Sequence, residues 1–300
     1  MSPYAIGLCS DMVIMSFLAL GAYLLLLVGR VSFGLQAFFG IGAYVSGIGT
    51  SMLSLPLGVA IPLAVAAGAL ISFLLAWPIM RLSGLHYAVA TLAFGELARI
   101  SLSWWQWQIP TAEGLVGPNG IEGFRDIRWL LVNNVSNESY LLLCLILLLL
   151  TIGAMQWLER RRLGVAVRMV GADDLLAQSS GLDPMRIRLL ISAYAGGLAA
   201  LGGALYAHRT TYIEPALFEP MLGVHAVGYS LIGGLGTAWG PLMGVVFDLG
   251  LLNATSLFEG WRMVVFGGLV AVFLRVKPRG FLDEAWVHRL AHLNFKAKVS

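Results

Sequence analysis

The chain has 300 residues, 58% of them hydrophobic and 12% charged, with a mean hydropathy of +0.82. Soluble domains carry about a quarter charged residues, so a soluble globule is excluded. The net charge of +3 is too small to imply nucleic acid, and two cysteines, Cys9 and Cys144, make neither a disulfide framework nor a metal cluster.

Apolar runs fall at 12–28, 33–53, 57–80, 85–103, 140–158, 189–207 and 258–274, with a glycine-rich segment at 222–252. Runs such as Met12 to Val28 and Tyr140 to Leu158 contain no charge, and a spanning helix needs roughly 20 such residues. No Lys or Arg precedes Arg30, so the basic start of a secretory signal is missing and the first run is expected to be a retained span. The expected fold is an all-α polytopic membrane protein with about seven full spans plus a broken or re-entrant helical pair at 222–252.

The arginines orient the spans. Taking the loop 159–188 as cytoplasmic, because it holds Arg160, Arg161, Arg162, Arg168, Arg186 and Arg188, puts Arg30, Arg81 and the basic tail 275–300 on the same side. The loop 104–139 is then external, with only Arg125 and Arg128 as its basic residues, and the N-terminus is outside. That is the asymmetry of the positive-inside rule, and Trp104, Trp105 and Trp107 fall at the outer interface, where indoles anchor. The chain is expected to be one transmembrane domain over 1–300.

Parity constrains 222–252. Between the cytoplasmic loop ending at Arg188 and the tail at Arg275 the crossings must be even, and 189–207 and 258–274 already make two. So 222–252 either dips in and returns or crosses twice as short legs. Both require a break at Gly233-Gly234-Leu235-Gly236 to Gly240-Pro241, and non-helical backbone at membrane depth must be buried in protein or line a cavity.

Nucleotide chemistry is missing. None of Lys277, Lys296 and Lys298 follows a glycine, so there is no Walker A loop, and Gly40-Ile41-Gly42 and Gly234-Leu235-Gly236 fail the dinucleotide spacing. His288 and His292 lack the glutamate of a zinc hydrolase. With Trp286, Leu290, Leu293 and Phe295 they read as an interfacial amphipathic helix. No nucleophile, acid or base set stands out, so the chain is not expected to be an enzyme.

The cytoplasmic loop is the most informative segment. Asp173 to Ser180 predicts a short helix stopped by Gly181, with Pro184 soon after. Leu175, Leu176 and Ala177 on such a helix suit a docking element better than a solvated loop. Here the chain resembles the LivM-type permease subunits of branched-chain amino acid ABC importers. Their loop pattern stands at Gly164, Ala166, Arg168, Asp174, Ala177, Gly181 and Leu182. The stretches 29–44, 87–100 and 114–121 resemble the family's second span, fourth span and external Gly-Pro-Asn-Gly turn. Gly233, Gly234, Gly236, Thr237, Gly240 and Pro241 match its glycine-rich break. Departures stand at Leu35-Gln36, Gly171-Ala172 and Gln178-Ser179. The first bears on solute and the other two on docking.

The resemblance implies a permease in a bacterial inner membrane, paired with a second, LivH-like permease. It implies two ATPase subunits that bind ATP and magnesium, an external solute-binding protein, and no cofactor in this chain. It places coupling at Asp173, Asp174, Leu175, Leu176, Ala177 and Gly181. Pathway candidates are Gln36, Gly40, Gly42, Glu96, His225, Gly234 and Gly236. Glu96 and Arg99, three apart, suit a local pair as well as a solute contact. Alternatives are a permease for urea or short amides, and a stand-alone channel or secondary carrier with broken helices.

Overall fold

The structure is a computed structural model, and it describes residues 3–111, 114–252 and 262–276. It is mostly helical: α1 (Pro3–Leu27), α2 (Leu35–Ser51), α3 (Leu57–Ile79), α4 (Gly84–Trp104), α5 (Trp129–Val132), α6 (Asn137–Glu159), α7 (Arg162–Ala172), α8 (Asp174–Ser179), α9 (Pro184–Thr210), α10 (Pro220–Gly233), α11 (Trp239–Val245) and α12 (Arg262–Val276). A 3-10 turn at Pro215–Phe218 precedes α10, and a π-helix at Val246–Leu252 extends α11.

Among the described residues, α1, α3, α6 and α9 are long and apolar enough to cross a membrane. The architecture is that of a helical membrane protein, and the count of seven full spans is not reached on that measure. α2 has 17 residues, α4 carries Glu96 and Arg99, and α12 is described for only 15 residues. The first helix begins at Pro3, nine residues before the expected start at 12, with proline in its first turn, where no amide is needed, and the Ser10 hydroxyl donating to the Ile6 carbonyl within the added stretch. The amphipathic helix expected around His288 lies outside the described residues.

The bundle is organised on α9, which packs against α1, α2 and α3. The reason is its composition. Ala195, Gly196, Ala199, Ala200, Gly203 and Ala204 are all buried along it, and small residues let membrane helices approach to backbone contact. A Cβ at Gly203 would strike the carbonyl of Phe39 on α2, and one at Gly68 of α3 would strike Ala200.

The two ends of the bundle differ. At one end, called here the basic end, lie Arg30, α7, α8 and the start of α9. At the other, strands β1 (Ile109–Thr111) and β2 (Gly114–Val116) form an antiparallel hairpin with Ile109 opposite Val116. Trp105 and Trp107 stack there at 6.4 Å, and Phe124 bridges to Ile213 in both directions. Arg209 pairs with Asp11 at this same end.

Candidate coupling and transport sites

Helix α8 is built by local signals. Asp173 is its N-cap, accepting hydrogen bonds from the Leu175 and Leu176 amides at 2.8 and 3.2 Å. Its C-terminus closes with Gly181 at φ 78°, where the Gly181 amide donates to Gln178 and the Leu182 amide to Ala177. That pair of bonds is a Schellman closure, which needs a left-handed residue at the glycine. Asp183 then caps α9, accepting from Met185 and Arg186, with Pro184 in the first turn where no amide is needed.

The resulting helix turns Ala177 wholly inward and leaves Leu175 76% and Leu176 54% exposed. Asp174 is held by Arg188 through two bonds of 2.7 and 2.9 Å. The same guanidinium reaches the carbonyls of Val28 and Val170. One buried arginine on α9 thus ties the end of α1, the end of α7 and the start of α8 together. A Cβ at Gly171 would strike Leu27, so α7 sits backbone against backbone on the end of α1. Tyr23 of α1 donates to Glu159 at 2.5 Å from the other side. Nearby, Arg30 donates to the carbonyls of Leu82 and Met80 and lies over the Tyr87 ring at 5.5 Å. Burial, and next the neighbouring Arg188 charge, lower its pKa from the ordinary arginine value.

The break in 222–252 is present, at Gly234. Its φ of 96° and ψ of 154° lie in a region open essentially to glycine alone. α10 and α11 then fold back on each other, since Cβ atoms at Gly233 and Gly244 would strike the Gly240 and Tyr229 carbonyls. Ser230 fastens α10 to Ala19 of α1 at 2.9 Å. The tip of this hairpin lies at the basic end, where Arg168 of α7 donates to the carbonyls of Leu235 and Gly236 at 3.4 and 3.1 Å. Those carbonyls are left without helical partners by the break, and the guanidinium satisfies them. The contact between the amphipathic loop and the broken helix had no pattern in the sequence to announce it.

The pathway candidates do not form one cluster. Gly234 and Gly236 are at the hairpin tip. His225 stacks on Tyr229 at 6.0 Å, and Tyr229 donates to the buried Asp248 at 2.8 Å. Gly42 is closed off by the backbone of Ala200, and Gly40 faces the Phe218 ring, both as helix-packing positions. Gln36 is wholly buried, and neither its amide oxygen nor its nitrogen has a hydrogen-bond partner among the described residues. It lies between Gly95 of α4 and Gly223 of α10. Glu96, the next residue on α4, is paired with Arg99.

Comparison with known proteins decides the family. Residues 4–274 match the branched-chain amino acid transport system / permease component family. The chain belongs to this family. Its relatives include the high-affinity branched-chain amino acid transport system permease proteins LivM of Salmonella typhimurium, at 27% identity, and of Escherichia coli K12, at 26%, each over 85% of this chain. The chain spans 64% of the length of both. The xylose transport system permease protein XylH of Escherichia coli K12 is 26% identical over 62% of this chain and 53% of its own length. No solved structure matches. The family's members are transport components rather than enzymes, as the sequence leads one to expect.

Proposed function

We propose that this chain is the transmembrane permease subunit of an ATP-driven importer for branched-chain or related small amino acids. It pairs with a second, LivH-like permease in a bacterial inner membrane. Two ATPase subunits supply ATP and magnesium, and an external solute-binding protein delivers the solute. Residues 1–300 act as one permease domain, with the basic end cytoplasmic, the N-terminus outside and the segments 159–188 and 275–300 inside.

The observation that carries this reading is the clamped α7–α8 unit. An exposed leucine pair sits on α8 of a two-helix unit in which Arg188 holds α8 to α9 and the end of α1 while Arg168 of α7 holds the α10–α11 break. Asp173, Asp174, Leu175, Leu176, Ala177 and Gly181 form the docking element, and Arg168 carries its movement to the hairpin. A ligand-driven two-state device works by differential affinity for its states. ATPase closure, in this reading, shifts α7–α8, and Arg168 pulls on the non-helical turn 234–238 that joins α10 to α11. A stand-alone carrier has no task for that unit.

The test is reconstitution of this chain with and without its partner permease and ATPases. The reading expects uptake of labelled leucine only in the complete assembly with ATP. Uptake by this chain alone without ATP would refute it.

A further inference from the structure

The outward faces of the bundle are not alike. On α3 the exposed side chains include Val59, Leu63, Leu70, Leu74 and Trp77. On α6 they include Leu142, Ile146, Leu149 and Leu150. Both faces suit lipid tails. The face of α4 carries Glu96 and Arg99 between Val89 and Ile100, with side chains 37% and 30% exposed. At 1.5 Å per residue Glu96 lies roughly 12 Å from Trp104. In a hydrocarbon core about 30 Å thick, that is close to the middle. Ionised groups at that depth face protein or water rather than lipid.

Three further observations gather at the same place. The Pro215–Phe218 turn packs against α4, and Phe218 lodges on Gly40 of α2, which brings the start of α10 beside α4. The N-cap of α10, Glu219, is exposed and makes no capping bond with its side chain, on a helix that packs against α4. The orphaned Gln36 amide lies immediately behind, between Gly95 and Gly223.

We propose that Arg99, Glu96 and Glu219 form a clamp for a zwitterionic α-amino acid, at a water-lined seam between α4 and the second permease. This rests on the importer reading above and names the solute's chemistry. Arg99 receives the α-carboxylate in the two-pronged geometry it now offers Glu96, at 2.5 and 3.0 Å. Glu96 and Glu219 receive the α-ammonium. The solute brings one charge of each sign, so opening the Glu96–Arg99 pair leaves neither partner bare at mid-membrane. Leu97 and Ile100 on the same face offer apolar contact to a branched side chain. A pentose offers only hydroxyls, so this site distinguishes the solute class of the LivM names from that of XylH.

The experiment uses the complete importer in proteoliposomes, with [14C]leucine and [14C]xylose as probes and Cys9 and Cys144 replaced by serine. In E96Q and R99Q, ATP-driven leucine uptake is expected to fall by about tenfold or more, the size of a lost charged hydrogen bond. Subunit copurification and basal ATP hydrolysis should persist, and R99K should retain part of the uptake. A93C, on the exposed face of α4, should react with a membrane-impermeant methanethiosulfonate and be protected by leucine. L70C on α3 should not react. Wild-type leucine uptake in both E96Q and R99Q overturns the clamp and leaves the importer reading standing, whereas an unsubstituted assembly that moves xylose but not leucine overturns the clamp and the amino-acid reading together. If the charge variants fail to assemble, A93C decides, and its lack of reaction overturns the seam. An assembly whose wild type moves neither solute overturns the importer reading together with the clamp.

Discussion

Helices α8 and α10 each end at a glycine with positive φ, Gly181 at 78° and Gly234 at 96°. The two ends of α8 are set within a few residues, by the Asp173 cap, the Gly181 closure and the Asp183 cap of α9, and Arg188 holds its first turn. Around α10 and its break the constraints include distant ones, from Ala19 and Arg168, beside the close approach of Gly240. A Cβ at Gly181 would meet nothing within 4 Å, whereas one at Gly233 would strike backbone. Glycine serves conformation alone at the end of the first helix, and both conformation, at Gly234, and close approach, at Gly233, at the end of the second. A locally built element can move as a unit, and one held by distant contacts is moved by them.

Substitutions at the two glycines sharpen the difference most. Gly233→Val pushes α10 and α11 apart at backbone contact, and the loss should sit at the upper end of the ~1–3 kcal/mol usual for overpacking or beyond it. Detergent-stability measurements by size exclusion should show loss of the monodisperse species. Equal stability to wild type would mean that the hairpin is not closed as described.

Arg188→Met comes next. It removes the partner of Asp174 and two carbonyls at once. Breaking a buried pair costs about 3–5 kcal/mol, but Asp174 is 46% exposed. Solvent screening therefore reduces the expected loss to about 1–3 kcal/mol. Limited proteolysis within 172–184 should accelerate before the rest of the bundle is cut. Gly181→Ala is smaller, about 1–2 kcal/mol for a left-handed alanine, and confined to α8. The same proteolysis window should open without a change in global melting. Arg168→Gln should cost least in stability, since its carbonyl acceptors can find water at the tip. Its expected effect is on coupling, with ATP hydrolysis retained and uptake reduced.

Much of this was legible in the sequence, and the reason is the range of the forces involved. The α8 helix, its glycine stop and the start of the following span are written in residues that touch their own neighbours. The break was legible because parity and Gly233-Gly234-Leu235-Gly236 both demanded it, and it is found at Gly234. The helix α7 was missed because Arg160, Arg161 and Arg162 read as a topological marker rather than as the start of a helix. The clasp of Arg168 on the Leu235 and Gly236 carbonyls was missed because main-chain acceptors carry no residue signature. The Gln36 amide was noticed as polar in an apolar run, but its isolation between two glycines of other helices is a tertiary fact.

The central claim is that α8 is where ATP hydrolysis meets the permease, and it is tested most directly by Leu175→Asp with Leu176→Asp in the reconstituted importer. Both side chains are exposed, so folding and pairing with the second permease should be unchanged. The account predicts that ATP hydrolysis continues or falls while ATP-driven leucine uptake is lost. Leucine uptake at the wild-type rate, with the double variant assembled, would contradict it.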